Sequence, residues 1–150
     1  MNIPDKNLKT PAFIIYWLLA SACGYAQSGP VMYFCEGYRH GKEINISSNF
    51  TVGSLTVMVK SPKALGLADV VLEFEKYDTG QSDFVFYKKF DFTLNPEDAY
   101  ICFSKTANND LTITEPGFYR VVLLGQRGNV VTNSLVQILP GTKTAKGGKH

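Results

Sequence analysis

From Val31 onward, apolar side chains recur at every second position, and that period decides which fold class is open to the chain. In Ser54–Lys60, Leu55, Val57 and Val59 share one face. Further on, Val70, Leu72 and Phe74 point one way while Glu73 and Glu75 point the other. That is the pattern of an antiparallel strand with one buried and one wet face. A helical period is nearly absent. Runs beginning at Val31, Ser54, Val70, Phe84, Tyr100, Phe118 and Asn129 read as short strands separated by turn signals. The spacing predicts an all-β, antiparallel sandwich of about seven strands rather than a barrel or an α/β fold.

The punctuation agrees. Pro62 ends the second run, and Gly37 breaks the first. Asp78–Asp83 is a polar turn, and Asn95–Asp98 is a turn or at most a single helical turn. Gly125-Gln126-Arg127-Gly128 joins the last two strands as a hairpin, with glycine where positive φ is needed. One strand contains a conflict. Phe84, Phe86, Phe90 and Phe92 share a parity with Lys88, so strict alternation would bury an ammonium at prohibitive cost. A β-bulge near Tyr87–Lys89 that turns the charge outward is expected, or an inward stem with its ammonium at an open edge. The alternative is that part of the row faces solvent as an exposed aromatic patch.

Ahead of the strands lies a segment of another kind. Lys6 and Lys9 precede an unbroken apolar run from Ala12 to Ala22, followed by Gly24-Tyr25-Ala26 and Gln27. A basic start, a short apolar stretch and a small-x-small site make a cleavable secretory signal peptide, here residues 1–26. The run is shorter than the roughly 20 residues a membrane-spanning helix needs. Cleavage after Ala26 is favoured over acylation at Cys23, because Ala20 stands where a lipobox carries leucine. The Tyr25-Ala26-Gln27 junction resembles those of exported proteins from Bacteroidetes-type bacteria. The domain plan is then a signal peptide (1–26), a β-sandwich (27–140) and a disordered basic tail (141–150) without an apolar residue larger than alanine. The expected location is the periplasm or cell surface, with a membrane tether only if Cys23 is lipidated.

With 15 basic and 13 acidic residues, scattered, the chain lacks the electrostatic footprint of a nucleic-acid binder. An exported pair, Cys35 and Cys102, permits one disulfide worth about 3–5 kcal/mol in the chain-entropy model. The other reading of this pair is two separate buried thiols. Two cysteines alone do not make a structural zinc site, which takes four ligands, and no metal or cofactor is expected. His40 stands in a loop with Arg39 and Gly41, and His150 is the last residue, so no histidine base for catalysis is expected. Glu73 and Glu75 share a strand face at roughly 7 Å, a spacing a glycosidase could use, but a wet face is the simpler reading. Asp78, Asp83 and Asn108–Asp110 read as polar turns rather than calcium loops. Tyr33, Tyr38, Tyr77, Tyr87 and Tyr100 are candidates for an aromatic face toward sugar or peptide.

One stretch carries a resemblance. Leu111-Thr-Ile-Thr-Glu-Pro-Gly-Phe-Tyr-Arg-Val121 resembles the E–F corner of immunoglobulin-like and fibronectin type III-like domains. The resemblance implies that Tyr119 returns its hydroxyl to backbone near Ile113–Glu115 and packs beneath the Pro116-Gly117 turn, a structural role. Val121 stands where antibody domains carry cysteine, and the single tryptophan, Trp17, lies in the leader, so the likeness is to bacterial immunoglobulin-like sandwiches in general. The expected function is a non-catalytic envelope module that binds another envelope protein or a glycan. The runner-up is an accessory subunit of an assembly or secretion complex that pairs through a sheet edge. A carbohydrate-active enzyme is a distant third.

Overall fold

The computed structural model describes residues 29–141; the expected leader (1–26), Cys23, His150 and the tail beyond Gly141 lie outside the described residues. Along the chain, the strands are β1 (Val31–Arg39), β2 (Lys42–Ser47), β3 (Asn49–Thr51), β4 (Gly53–Ser54), β5 (Thr56–Lys60) and β6 (Asp69–Asp78). Then come β7 (Asp83–Thr93), β8 (Tyr100–Phe103), β9 (Thr112–Ile113), β10 (Gly117–Leu124) and β11 (Val130–Leu139). The seven longer runs marked by alternation all form strands. β3, β4 and β9 are too short to show a period, and β2 is solvent-facing along most of its length, so it carries no apolar alternation. Nor does Gly37 end the first strand, which continues to Arg39 before turning at His40 and Gly41, both with positive φ.

The strands form a four-stranded sheet ordered β2-β1-β5-β8, a five-stranded sheet ordered β3-β11-β10-β6-β7, and a two-stranded ribbon β4-β9. Pairing is antiparallel except where β3 runs parallel to β11. One hydrophobic cluster draws on both larger sheets. Phe34, Val57 and Phe103 enter from the first, and Leu72, Phe74 and Tyr119 from the second. Val57, Leu72 and Phe74 lie on the faces that the alternation assigns, and Leu55 and Leu111 from connecting segments, with Ile113 of β9, close the same core.

The phenylalanine row resolves at a bulge. Phe74 faces Lys88 and Glu75 faces Phe86, leaving Tyr87 as the extra residue. The bulge turns Phe84 and Phe86 to the outer face, not Lys88. Lys88 keeps its stem on the core side, and its ammonium escapes at the edge to donate to the Thr112 carbonyl at 3.1 Å. Beyond it, Phe90 and Phe92 point inward and meet Phe74 and Phe103 edge-on, with ring centres 5.8 and 4.8 Å apart.

The cysteine pair takes the two-thiol reading, and the last connection departs from expectation at one glycine. Cys35 and Cys102 are both free thiols. Cys35 on β1 lies opposite Thr56, and Cys102 on β8 lies opposite Met58, so β5 separates them. Two strand spacings amount to about 10 Å, beyond the roughly 7 Å Cα separation a disulfide tolerates. In the β10–β11 connection, Arg127 (φ 66°) and Gly128 (φ 75°) take the left-handed conformation, whereas Gly125 has a negative φ.

Candidate functional site

The Pro116-Gly117 corner is built as a brace. Tyr119 is fully buried, and its hydroxyl donates to the Glu115 carbonyl at 2.8 Å. Burial, with Tyr87 and Glu115 nearby, pushes that phenol well above its ordinary pKa. Gly117 has φ 155°, and a Cβ there would come within 3.0 Å of the Lys76 side chain. Its absence lets Lys76 cross the turn and pair with Glu115 at 2.6 Å. Tyr87, the bulge residue, packs edge-on against Tyr119 with ring centres 5.2 Å apart. Corner and bulge thus brace each other.

The outer face of the five-stranded sheet carries the chemistry open to solvent. Inward Leu72, Phe74, Val121 and Val136 leave Glu73, Glu75, Arg120, Val122 and Leu135 pointing outward, joined by Phe86 after the bulge. Register fixes the rows. Leu135, Arg120, Glu75 and Phe86 lie side by side across β11, β10, β6 and β7, and the next row is Asn133, Val122, Glu73 and Lys89. Arg120 forms an ion pair with Glu75, which raises the guanidinium pKa further, and stacks 4.7 Å over the Phe84 ring. Phe84 in turn meets Tyr77 edge-on at 5.3 Å. Phe86, Phe118 and Leu135 stay more than half exposed, at 61, 55 and 59 %. A shallow groove of about 410 Å³ runs along Glu73, Glu75, Arg120, Val122 and Asn133. The two glutamates singled out in the sequence therefore share a wet face, and Arg120 already engages one of them.

The four-stranded sheet presents a second cluster. Glu43, at the start of β2 opposite Tyr38, accepts hydrogen bonds from Tyr33 at 2.6 Å and from Tyr100. The Tyr38 ring meets Tyr100 edge-on at 6.0 Å. Residues near the hairpin tip therefore reach across β5 to the start of the edge strand β8, so the β1–β2 hairpin bends back over the sheet's outer face. The Tyr100 and Tyr33 hydroxyls hold the Glu43 carboxyl down to about 2. Burial first, and Glu43 second, push both phenols above their ordinary range. A carboxylate saturated by two phenol donors is a buttress rather than a general base near neutral pH. Under this hairpin, Cys35 is fully buried and Cys102 partly so, and desolvation raises both thiol pKa values.

The five candidate tyrosines therefore do not form one face. Tyr33, Tyr38 and Tyr100 gather on one sheet, Tyr77 stands on the other, and Tyr87 serves the core. Sequence reasoning missed Glu43 because its partners are 10 and 57 residues away and no local motif marks them. Asp78 spends its carboxylate on the Gly80 and Gln81 amides of its own turn, at 2.7 and 3.2 Å, and Asp83 on the Phe84 amide at 2.7 Å. His40 occupies the hairpin tip.

No protein-family model matches the chain, and no curated protein matches it in sequence. Among solved structures it is similar to an immunoglobulin-like protein from Pseudomonas aeruginosa, with 12 % identity, a TM-score of 0.45, and coverage of 76 % of this chain and 99 % of that one. It is also similar to a superoxide reductase (neelaredoxin) from Ignicoccus hospitalis, with 9 % identity, a TM-score of 0.40, and coverage of 74 % and 80 %. At this level of similarity neither carries an activity over to this chain.

Proposed function

We propose that the chain is an exported, non-catalytic β-sandwich of immunoglobulin-like arrangement that serves as a binding or structural module at the cell envelope. Two features support the arrangement: two antiparallel-rich sheets feeding one shared core, and the Tyr119 corner entering β10. Export rests on the Lys6/Lys9, Ala12–Ala22 and Gly24-Tyr25-Ala26 pattern. The observation that carries recognition is the outer face of the five-stranded sheet. Phe86, Phe118 and Leu135 stand in water there beside the Arg120–Glu75 pair. Apolar side chains gathered on one face and rimmed by polar ones mark an interaction surface more often than a bare surface does. The partner class is another envelope protein or a glycan.

Edge pairing is the weaker reading. The long edge strand β7 carries a bulge at Tyr87 together with Lys88, Lys89 and Asp91, devices that blunt strand addition. The test is to replace Phe86 and Leu135 by serine and measure retention of the exported protein on its native envelope fraction. Both variants should melt close to the parent, since neither side chain is in the core, and both should lose retention. Unchanged retention in both would remove the outer face from the reading.

A further inference from the structure

The rows on this outer face have a symmetry that suits one particular partner. Consider a two-fold axis parallel to the strands, midway between β10 and β6. A half-turn about it lays β10 of one copy over β6 of another, and β11 over β7. In the row Leu135–Arg120–Glu75–Phe86, that operation sets Leu135 on Phe86 and Arg120 on Glu75, each twice. Apolar groups then meet apolar groups, and guanidinium meets carboxylate. Continuing the β10–β6 register by one residue places Phe118 beside Tyr77, so the same rotation lays these two rings against each other across the interface. In the neighbouring row, Asn133–Val122–Glu73–Lys89, the same half-turn sets Asn133 on Lys89 and Val122 on Glu73, so this row adds neither an apolar nor an ionic match and the complementarity lies in the Arg120 and Phe118 rows. The formal net charge of the whole chain is only +2, so two copies repel weakly.

We propose that the outer face of the five-stranded sheet is the isologous interface of a homodimer, with the Arg120 and Glu75 of two copies forming a four-charge cluster at its centre. The proposal rests on the reading of this face as a recognition surface and specifies a second copy as its occupant. The facing sheets would pack about 10 Å apart with their strands within about 30° of alignment.

The symmetry supplies a test that a structural role for the same residues would not pass. Arg120→Glu places four acids at the centre of a homodimer, and Glu75→Arg places four bases there. Mixing the two variants restores opposite charges across the interface, although each chain still carries its own mismatch. Sedimentation mass is measured at ~100 µM, a concentration at which a micromolar dimer is nearly complete. Full-length chain is used and, because the whole core cluster lies between Met32 and Ile138, chain from Gln27 onward in parallel. Followed down a dilution series from that concentration to ~1 µM, wild type should dimerise with a micromolar Kd, each variant should stay folded and associate at least tenfold more weakly, and the equimolar mixture should regain the wild-type association. Phe86→Ser and Leu135→Ser, which leave the charges alone, should also weaken the dimer at least tenfold. A monomeric wild type, a mixture that stays monomeric, or serine variants that associate like wild type would each overturn the dimer. If the wild type is monomeric but those serine variants still lose envelope retention, the recognition reading stands with a different partner. If retention is also unchanged, both readings fall.

Discussion

The Tyr119 hydroxyl, rising from a buried ring, and the carbonyl of exposed Glu115 form a single part-buried bond, and its value follows from what is left when it is cut. Tyr119→Phe keeps the ring against Tyr87 and removes the donor that the Glu115 carbonyl meets at 2.8 Å. The expected cost is about 1–2 kcal/mol, read as a lower urea midpoint at unchanged slope. Glu43 makes a different kind of prediction. Its carboxyl titrates at about 2 in the fold, below the ordinary ~4.3, because Tyr100 and Tyr33 donate to the charged form. The stability it supplies is therefore complete above the ordinary value and drains away as pH falls toward about 2. Glu43→Gln should flatten the acid limb of the stability–pH curve between about pH 4.5 and 2 and leave the shape above pH 6 unchanged. A variant whose acid limb matches the parent would show that the two phenols do not hold the charge. The corner was legible in sequence, because Pro116-Gly117 and Tyr119 lie within four residues; the Glu43 cluster was not, because it spans three strands.

In β7 one inserted residue decides the fate of four phenylalanines. Alternation alone puts Phe84, Phe86, Phe90 and Phe92 on one side with Lys88 among them, and the conflict is visible in the sequence. The direction of its resolution was not. The core has room for Phe90 and Phe92 against Phe74 and Phe103, and Lys88 can reach the Thr112 carbonyl at the edge, so the outer residues yield instead. Deleting Tyr87 should be far more damaging than truncating it, because removal of the bulge shifts the parity of half the strand. The loss of stability expected for the deletion is more than about 3 kcal/mol, with Tyr87→Ala retaining the register at a smaller cost. Thermal unfolding by circular dichroism checks the order. Equal effects from the two changes would mean that the bulge does not set the register.

Across the whole domain, the decisive facts concern which strands become neighbours. The sequence permits a Cys35–Cys102 bridge, but the insertion of β5 between β1 and β8 forbids it. Both cysteines should therefore take up an alkylating agent in denaturant without prior reduction; in the native state buried Cys35 should resist it and partly exposed Cys102, its pKa also raised, should react slowly. Peptide mapping that found the pair protected in denaturant would restore the disulfide. Stability then comes from the core shared by the two sheets, not from a covalent clamp. The sequence by itself determined the strand class, the positions of the seven longer strands and the inward faces of β5 and β6, because a period of two is local and each residue carries its own vote. It also exposed the one place where those votes conflict, at Lys88. Only the tertiary structure decided the partition into sheets, the parallel β3–β11 contact, the separation of the cysteines and the gathering of Tyr33 and Tyr100 on Glu43. Those outcomes depend on pairings between residues tens of positions apart, where total burial selects one arrangement and leaves no periodic trace along the chain.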